Sequence, residues 1–391
     1  MNVRLIPMTG SKRLVSLAVV ALLVSSCQSG DFLKTDGSAS AQPAHSANSV
    51  GLYNQTLGSG PTKVGFLGVR RADASARQAD HEYRDGAALA VNAIGSNIVQ
   101  LTMLEAMENP KEIEAATKSL ADKGARMIIT SARDGELELV RSAIGDRPVT
   151  VLAFTSNQAR KPDGVYAFLS SPTDSLLESA TFAMAEGSGH AVIVASTDAG
   201  KAHGEALSKN LKGFGAKVEP VIDVSSGSLS SKAQASWKRA DMVIVMPDVK
   251  NPGAFLKRAD STTPPRPGRR IVASTALTGA DLSDPKLTGA IVCRYDQNVS
   301  DRIGQRYLAS YGMPASQHAG YGFDAMAMAI GLANNYGDEA FVPERIMQPQ
   351  GFSGAMGVFR LEEGGTVRRN CDIFKVAKGS YVFFQRAPTM L

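Results

Sequence analysis

The amino-acid sequence predicts an α/β protein with two similar lobes, each built on a doubly wound parallel sheet. From residue 63 onward, short apolar runs alternate with amphipathic stretches, which is typical of strands covered by helices on both faces. The alternation restarts near residues 170–175, and one sheet with so many strands would be unusually wide. The last part, residues 356–384, is β-rich, with Gly364 and Gly365 at a hairpin turn.

The apolar runs and amphipathic stretches place the elements one by one. In the first lobe they predict strands at 64–69, 98–104, 126–129 and 149–154, and helices at 79–93, 110–123 and 135–144. In the second lobe they predict strands at 191–195, 218–224, 242–246, 271–274 and 289–293, and helices at 175–185, 203–214 and 254–259. The 391 residues, 43% of them hydrophobic, are enough for both lobes and their cores.

A long helix predicted at residues 324–335, followed by the hairpin, interrupts the alternation. This is expected if the chain crosses back between the lobes more than once. We therefore expect the bilobal domain to span residues 63–391. Its first lobe would take about residues 63–170 and 317–347, and its second lobe about residues 171–316 and 348–391.

The first 27 residues have the features of an export signal. An apolar run at residues 14–24, with one interruption, is too short to span a bilayer stably. The charged residues before it are all basic: Arg4, Lys12 and Arg13. The run ends in Val24-Ser-Ser-Cys27, which resembles the lipobox of bacterial lipoproteins. We predict a signal peptide at residues 1–27 and lipidation of Cys27; the alternative is an ordinary secretory signal that contains a cysteine.

The residues after Cys27 bear on location. Gln28 stands where an Asp often marks retention in the inner membrane of enteric bacteria, so we favour the outer membrane of a periplasmic, lipid-anchored protein. Residues 28–62 are rich in small and polar side chains. Such a segment cannot bury enough apolar surface to order itself, and it predicts a flexible tether.

Charge and cysteine content narrow the function classes. The net charge is +5, and removal of the leader, with three basic and no acidic residues, leaves +2. This small net charge therefore does not indicate a nucleic-acid partner. Besides Cys27, only Cys293 and Cys371 are present, each in a strand-like run. They could form a bridge in an oxidising compartment or remain two separately buried thiols.

Several segments, in this order, resemble the type I periplasmic binding proteins of the leucine/isoleucine/valine-binding family. They are Lys63-Val-Gly-Phe-Leu-Gly, Lys123-Gly-Ala-Arg-Met-Ile-Ile-Thr-Ser, Ala319-Gly-Tyr-Gly-Phe-Asp-Ala-Met and Gly351-Phe-Ser-Gly-Ala-Met-Gly-Val-Phe-Arg-Leu. Within that superfamily, Val151-Leu-Ala-Phe-Thr-Ser-Asn with Gly164-Val-Tyr-Ala-Phe-Leu-Ser is most similar to alphaproteobacterial proteins called penicillin-binding protein activators. The resemblance implies two lobes joined by three crossovers, which close over a small ligand.

The resemblance also implies ligand-binding positions after two strands of the first lobe. These are Thr130, Ser131 and Arg133 after one strand, and Thr155, Ser156 and Asn157 after the next. Hydroxyls, backbone N–H groups and a guanidinium could hold a carboxylate there. Without a ligand, Ser131 and Asp134 also suit the start of a helix, and residues 155–157 suit a polar turn.

The second lobe departs from the family pattern. Asp198-Ala-Gly occupies the place of an aromatic-Gly pair, and a second family tyrosine is replaced near Asp248. The acidic residue that neutralises a ligand's ammonium falls near Thr275. Because an unpaired ammonium in a closed cleft is costly, we hypothesise that Asp198 or Asp248 supplies the missing charge.

No pattern in the sequence indicates an enzyme, a metal or a cofactor. The five histidines lack metal-ligand spacing, and there is no Gly-x-Ser-x-Gly elbow or dinucleotide loop. The leading hypothesis is therefore a lipid-anchored solute-binding protein that presents an amino-acid-like ligand to an ABC-type permease. The alternative is a non-transport lipoprotein that binds and activates a peptidoglycan synthase.

Overall fold

The first lobe is built on a six-stranded sheet. The computed structural model describes residues 53–156, 161–170, 172–295 and 301–386. The strands are β1 (Gln55–Leu57), β2 (Thr62–Arg70), β3 (Val99–Met107), β4 (Met127–Thr130), β5 (Thr150–Ser156) and β6 (Val165–Leu169), in the order β1-β3-β2-β4-β5-β6. All neighbours are parallel except β1 and β3. The helices are α1 (Ala74–Ala90), extended by a π-helical turn at Val91–Gly95, α2 (Pro110–Asp122) and α3 (Asp134–Ile144).

The second lobe has an eight-stranded sheet. Its strands are β7 (His190–Ala195), β8 (Lys217–Val218), β9 (Ile222–Asp223), β10 (Met242–Val245), β11 (Arg270–Ala273), β12 (Ile291–Arg294), β16 (Asp372–Ala377) and β17 (Ser380–Gln385). The order is β17-β16-β12-β11-β10-β7-β8, and β9 also pairs with β7. Its helices are α4 (Pro172–Ala185), α5 (Asp198–Gly213), α6 (Ser231–Arg239), α7 (Pro252–Thr262) and α8 (Gly279–Leu282), with a 3₁₀ turn at Pro285–Leu287. Strands β16 and β17 run antiparallel to their neighbours.

The remaining elements connect the two lobes. They are α9 (Asp301–Tyr311), α10 (Gln317–Tyr336), a 3₁₀ turn at Gly337–Glu339, α11 (Pro343–Ile346) and a three-stranded sheet of β13 (Phe352–Gly354), β14 (Gly357–Glu362) and β15 (Thr366–Arg369). The predicted hairpin turn is confirmed, because Gly364 and Gly365 join β14 to β15 with φ values of 80° and 76°. Only glycine adopts such values without strain.

Local sequence signals set where the helices begin. Asp73 accepts from the N–H of Ala76 at the start of α1, and Thr197 accepts from Gly200 at the start of α5. Asn109 caps α2, whose first residue is Pro110. Each of these side chains satisfies a backbone donor that the helix itself leaves unpaired.

Helices α1 and α10 pack with their backbones in close approach. A Cβ atom at Gly86 would overlap the carbonyl oxygen of Ala319, and one at Gly322 would overlap that of Tyr83. Glycine is therefore required at both crossing points. The long helix predicted near residues 324–335 is thus held directly against the first lobe.

The fold class predicted from the sequence is confirmed, whereas some elements were not predicted. Strand β6 and helix α9 do not coincide with any strand or helix predicted from the sequence. Helix α9 contacts the first lobe, because the Tyr311 hydroxyl donates to the carbonyl of Asp85 in α1 at 3.0 Å. The lobe boundary proposed at residue 316 assigned this helix to the second lobe, and the division into lobes stays a prediction.

A disulfide resolves the two possibilities left open for the cysteines. Cys293 lies in β12 and Cys371 directly precedes β16, and their Cα atoms are 5.5 Å apart. The two cysteines are 78 residues apart in the sequence. Disulfides typically stabilise proteins by about 2–4 kcal/mol. This bond fastens the returning segment of the chain to the sheet of the second lobe.

A buried ion pair joins α10 to the connecting sheet. The Asp324 carboxylate accepts from the N–H groups of Ala355 and Met356 and lies 3.7 Å from the Arg369 guanidinium. The side chains of both ions have no exposed surface. The guanidinium also faces three aromatic rings, with centroid distances of 4.7–5.2 Å to Phe168, Tyr321 and Phe359. Burial raises the pKa of Asp324 to about 6, against the pull of Arg369.

We expect Arg369→Met to lower the free energy of unfolding by about 3–5 kcal/mol at pH 7.5, because it leaves a buried carboxylate without its counter-ion. The pKa of Asp324 is about 6 in the fold and 3.8 ordinarily. Protonation therefore favours the folded form, and the deficit should shrink as the pH falls from 7.5 to 5. Urea unfolding followed by circular dichroism measures both quantities.

The neighbouring Arg368→Met is the matched control. Arg368 forms a partly exposed pair with Glu178 at 2.7 Å, so its loss should cost about 1 kcal/mol or less. Equal losses for the two variants would contradict the special role of Arg369.

Candidate functional site

The predicted site residues lie where parallel strands end. Thr130 closes β4, and Thr155 and Ser156 close β5. The other predicted residues follow strands β4, β7, β10 and β11: Ser131, Arg133, Asp198, Asp248 and Thr275. In open α/β sheets, ligands bind at this edge. Asn157 and Cys27 lie outside the described residues.

Thr130 is committed to the backbone. Its side chain is fully buried. The hydroxyl donates to the carbonyl of Leu67 at 2.9 Å and accepts from the N–H of Ala132 at 3.0 Å. It therefore ties β4 to β2 and shapes the turn that follows, and it has no free surface toward a ligand.

Ser131 belongs to a polar cluster beneath the strand ends. Its hydroxyl accepts from the N–H of Val69 at 2.9 Å and donates to the Asp80 carboxylate. The Tyr53 hydroxyl donates to the other oxygen of the same carboxylate. Burial raises the pKa of Asp80, although these two hydrogen bonds oppose the rise. A Cβ atom at Gly68 would overlap the Tyr53 hydroxyl, so glycine makes room for this cluster.

The start of α3 is covered by the chain's own charges. The Glu136 carboxylate accepts from the N–H of Arg133 at 2.8 Å and receives two hydrogen bonds of 2.6 Å from the Arg71 guanidinium. Arg71 also donates to Glu108 at 3.0 Å and to the carbonyl of Ser131 at 3.2 Å. Burial acts to raise the pKa of Glu136, but the hydrogen bonds from Arg71 and Arg133 lower it overall.

A second ion pair, between Asp134 and Lys161, lies at the end of β5. Asp134, the first residue of α3, accepts from the Thr155 hydroxyl and from the Lys161 ammonium, both at 2.7 Å. Lys161 also donates to the carbonyl of Ser156 at 2.9 Å, and its side chain is only 1% exposed. The Thr155 hydroxyl and the Ser156 carbonyl thus already have partners within the protein.

In the second lobe, Asp248 follows β10, and its carboxylate accepts hydrogen bonds from the residues that precede α5. One carboxylate oxygen accepts from the N–H groups of Ser196 and Thr197, at 2.8 and 2.6 Å, and from the Thr197 hydroxyl at 2.8 Å. The carboxylate lies against Gly200, where a Cβ atom would overlap it. Burial acts to raise the pKa of Asp248, yet the hydrogen bonds from Thr197 and Ser196 lower it overall.

Two predicted residues remain accessible and charged. The Arg133 side chain is 61% exposed, with Glu108 at 3.5 Å, and the Asp198 side chain is 99% exposed, with Lys201 at 2.7 Å. Thr275 is half-buried, and its carbonyl accepts from the Tyr381 hydroxyl at 3.4 Å. The structure therefore places the predicted residues at the expected edges but engages most of them internally.

Sequence reasoning missed the residues that satisfy these groups. Arg71 follows directly on the first buried strand and could have been noticed there, whereas its pairing with Glu136 depends on the packing of α3 beside β2. Asp80, His81 and Glu105 have ligand atoms within 4.8 Å of one another. Because both oxygens of Asp80 already accept from hydroxyls, we assign no metal to this cluster.

We expect Asp248→Ala to lower the free energy of unfolding by about 2 kcal/mol at pH 7, because it removes the acceptor for the donors that precede α5. The pKa of Asp248 is below 3.8 in the fold. Its contribution is therefore present above pH 3.8 and lost as the pH falls through the lower folded value. Urea unfolding at pH 7 and pH 3 should show the deficit shrinking in acid.

Asp198→Ala is the matched control, because the loss of this exposed carboxylate should leave the free energy of unfolding close to that of the unaltered protein. A deficit for Asp248→Ala that is equally large at pH 3 would contradict the role of its charge.

Comparison with known proteins identifies the fold. No protein-family model matches the chain, and no curated protein matches its sequence. Among solved structures, a Rhodospirillum rubrum protein proposed to be a branched-chain amino acid ABC transporter has a TM-score of 0.61 at 14% identity, covering 83% of this chain and 100% of that one. A branched-chain amino acid ABC transporter ligand-binding protein from Burkholderia xenovorans has a TM-score of 0.54 at 15% identity, covering 84% and 95%.

The C-domain of LpoA from Haemophilus influenzae, a regulator of PBP1A, is similar to the same extent. Its TM-score is 0.57 at 15% identity, covering 83% of this chain and 100% of the domain. Among the described residues, no helix is both long and apolar enough to cross a membrane. The resemblance noted in the sequence is confirmed at the level of fold: the chain has the type I periplasmic-binding-protein fold, which ligand-binding proteins of ABC transporters and a regulator of PBP1A share.

Proposed function

We propose that this chain is a non-enzymatic, protein-binding regulator at the cell envelope rather than a transport receptor. The observation that carries the proposal is the internal use of the cleft donors. The hydroxyls of Thr130, Ser131 and Thr155 each donate to an acceptor within the protein. A receptor for amino acids needs such donors, together with free N–H groups, to replace the water around a carboxylate.

The charge arrangement at the helix starts supports the same conclusion. Glu136 covers the start of α3 and Asp248 the start of α5, so the chain's own carboxylates stand where a ligand's carboxylate would bind. A second anion there would meet like charge, and displacing the internal one would leave Arg71 without its bidentate partner. This cleft is therefore poorly suited to an α-carboxylate.

The proposed partner is a peptidoglycan synthase. Support comes from the similarity of fold to the LpoA C-domain, a regulator of PBP1A, and from the resemblance of residues 151–157 and 164–170 to penicillin-binding protein activators. A tether between Cys27 and the first strand would give the folded domain the reach that such a partner requires. Residues 53–62, which the composition assigned to this tether, instead belong to the fold, because β1 pairs with β3 and the Tyr53 hydroxyl donates to Asp80.

A solute-binding role in an ABC-type importer is the second candidate. One observation favours it: exposed Arg133 in the first lobe and exposed Asp198 in the second carry opposite charges at strand ends. Together they would match the carboxylate and ammonium of an amino-acid-like ligand.

The two candidates differ in what stabilises or binds the folded protein. We expect no shift in melting temperature with a panel of amino acids and related metabolites, because the cleft donors are already used. A transport receptor should instead gain about 2.7 kcal/mol with a ligand at a hundred times its Kd. We expect measurable binding to the periplasmic part of a peptidoglycan synthase from the same organism, by biolayer interferometry.

Arg133→Ala/Asp198→Ala is the matched variant for this test. It should leave synthase binding unchanged and should abolish any amino-acid shift. A specific shift that this variant removes, without synthase binding, would replace our proposal with the transport role.

We further propose that the mature chain is anchored through lipid on Cys27, in the outer membrane. Cys27→Ala removes the residue that would carry the acyl chains, and it should therefore abolish incorporation of an alkyne-labelled fatty acid. Because stable anchoring needs more than one acyl chain, the variant should also be released from the membrane fraction. Ser26→Ala, which keeps a small residue before the cysteine, should still be labelled. Labelling that persists in Cys27→Ala would rule out this anchor.

A further inference from the structure

The outermost strand of the second lobe carries a run of exposed apolar side chains. Val382, Phe383 and Phe384 are consecutive in β17 and are 45%, 52% and 45% exposed. The other large apolar residues with comparable exposure in the described part of the chain are scattered: Met107, Phe214, Leu308 and Met313. Scattered residues of this kind need no explanation. The three exposed side chains of β17 alternate between the two faces of the sheet, and all three flank the outer backbone edge of this last strand.

The position of β17 adds unpaired backbone groups to this run. It is the last strand in the sheet order, and among the described residues no strand pairs with its outer edge. Proteins usually protect such edges with charged residues, proline or very short strands. Ser380–Gln385 is six residues long and contains none of the charged residues or proline that would block pairing.

Packing holds this edge in place for a partner. Phe383 lies against Phe374 of the neighbouring strand, with ring centroids 5.8 Å apart, and Phe384 lies against Phe182 of α4 at 6.0 Å. The hydroxyl of Tyr381 donates to the carbonyl of Thr275. The strand is therefore already in the extended form that a pairing segment needs, which lowers the entropic cost of binding.

The charges around β17 indicate the character of the partner. Lys378 lies in the turn before the strand, Arg386 follows its last residue, and Lys375 of β16 lies over the Phe384 ring at 3.3 Å from its centroid. An occupant with acidic residues near both ends would complement them.

A second copy of this chain fits the edge poorly. Antiparallel pairing of two β17 strands about a two-fold axis at Val382 would place Lys378 of each copy opposite Arg386 of the other. Like charges would then meet at both ends of the new ladder, which opposes association.

We propose that β17 is a docking edge that accepts an extended segment of a partner protein as an additional strand. The segment has apolar side chains at alternate positions and acidic residues at its ends. This inference rests on the proposed function, for which it names the binding surface: the segment belongs to the peptidoglycan synthase.

The test uses the full mature chain and the periplasmic part of the synthase. Amide hydrogen exchange should slow in residues 380–385 when the synthase is added, because a pairing strand covers the outer N–H groups. Val382→Lys/Phe383→Lys should weaken binding at least tenfold, equivalent to about 1.4 kcal/mol. Lys378→Glu/Arg386→Glu should also weaken it. Met107→Lys, which adds a charge at an equally exposed apolar site in the first lobe, should leave the Kd within about twofold.

The outcomes separate this inference from the proposed function. Synthase binding that neither β17 variant weakens, with no protection of residues 380–385, overturns the inference and leaves the function standing. Absence of synthase binding by the unaltered chain overturns both. Protection of residues 380–385 that depends on protein concentration alone, or on phosphatidylglycerol vesicles alone, assigns the edge to a second copy or to a membrane and overturns the inference. Melting temperatures of all variants exclude misfolding as the cause of lost binding.

Discussion

The buried pair of Arg369 and Asp324 is the constraint on which the arrangement of the connecting segments depends. Asp324 lies in α10, which packs against the first lobe, and it accepts from two N–H groups of the segment before β14. Arg369 lies at the end of β15, directly before the chain enters the sheet of the second lobe. Because neither charge can be left unpaired in the interior, α10 and the hairpin must pack together. The disulfide from Cys371 to Cys293 then attaches the following segment to β12.

The same principle explains the cleft. A buried or half-buried charge is tolerated only when it is paired and hydrogen-bonded, and at the strand ends the pairing groups come from the chain itself. Arg71 serves Glu136, Lys161 serves Asp134, and backbone donors serve Asp248. A fold that can offer these positions to a ligand has here used them for its own stability. Fold similarity alone therefore cannot decide between receptor and regulator.

Much of the fold could be predicted from the sequence, because buried parallel strands leave continuous apolar runs such as the one in β2. The site could be located but not understood. The alternation of strand and helix fixes where residues such as Ser131 stand, since strand ends are visible in sequence. Their partners, such as Asp80 and Tyr53, come from other elements through packing that no local pattern encodes. Strand β6 and helix α9 were missed although they are no shorter than predicted elements such as β4 and α3.

Because several polar side chains in the cleft already have partners within the protein, other surfaces are better candidates for binding a partner protein. Several predicted cleft side chains have partners within the protein, although one buried carboxylate oxygen of Asp248 has none. In the described part of the chain, β17 presents unpaired backbone and exposed apolar side chains at once. Exposed apolar side chains cost free energy in water, and an exposed strand edge is a ready template for pairing with another chain. The edge of the second sheet therefore offers a partner both apolar surface to bury and backbone groups to pair.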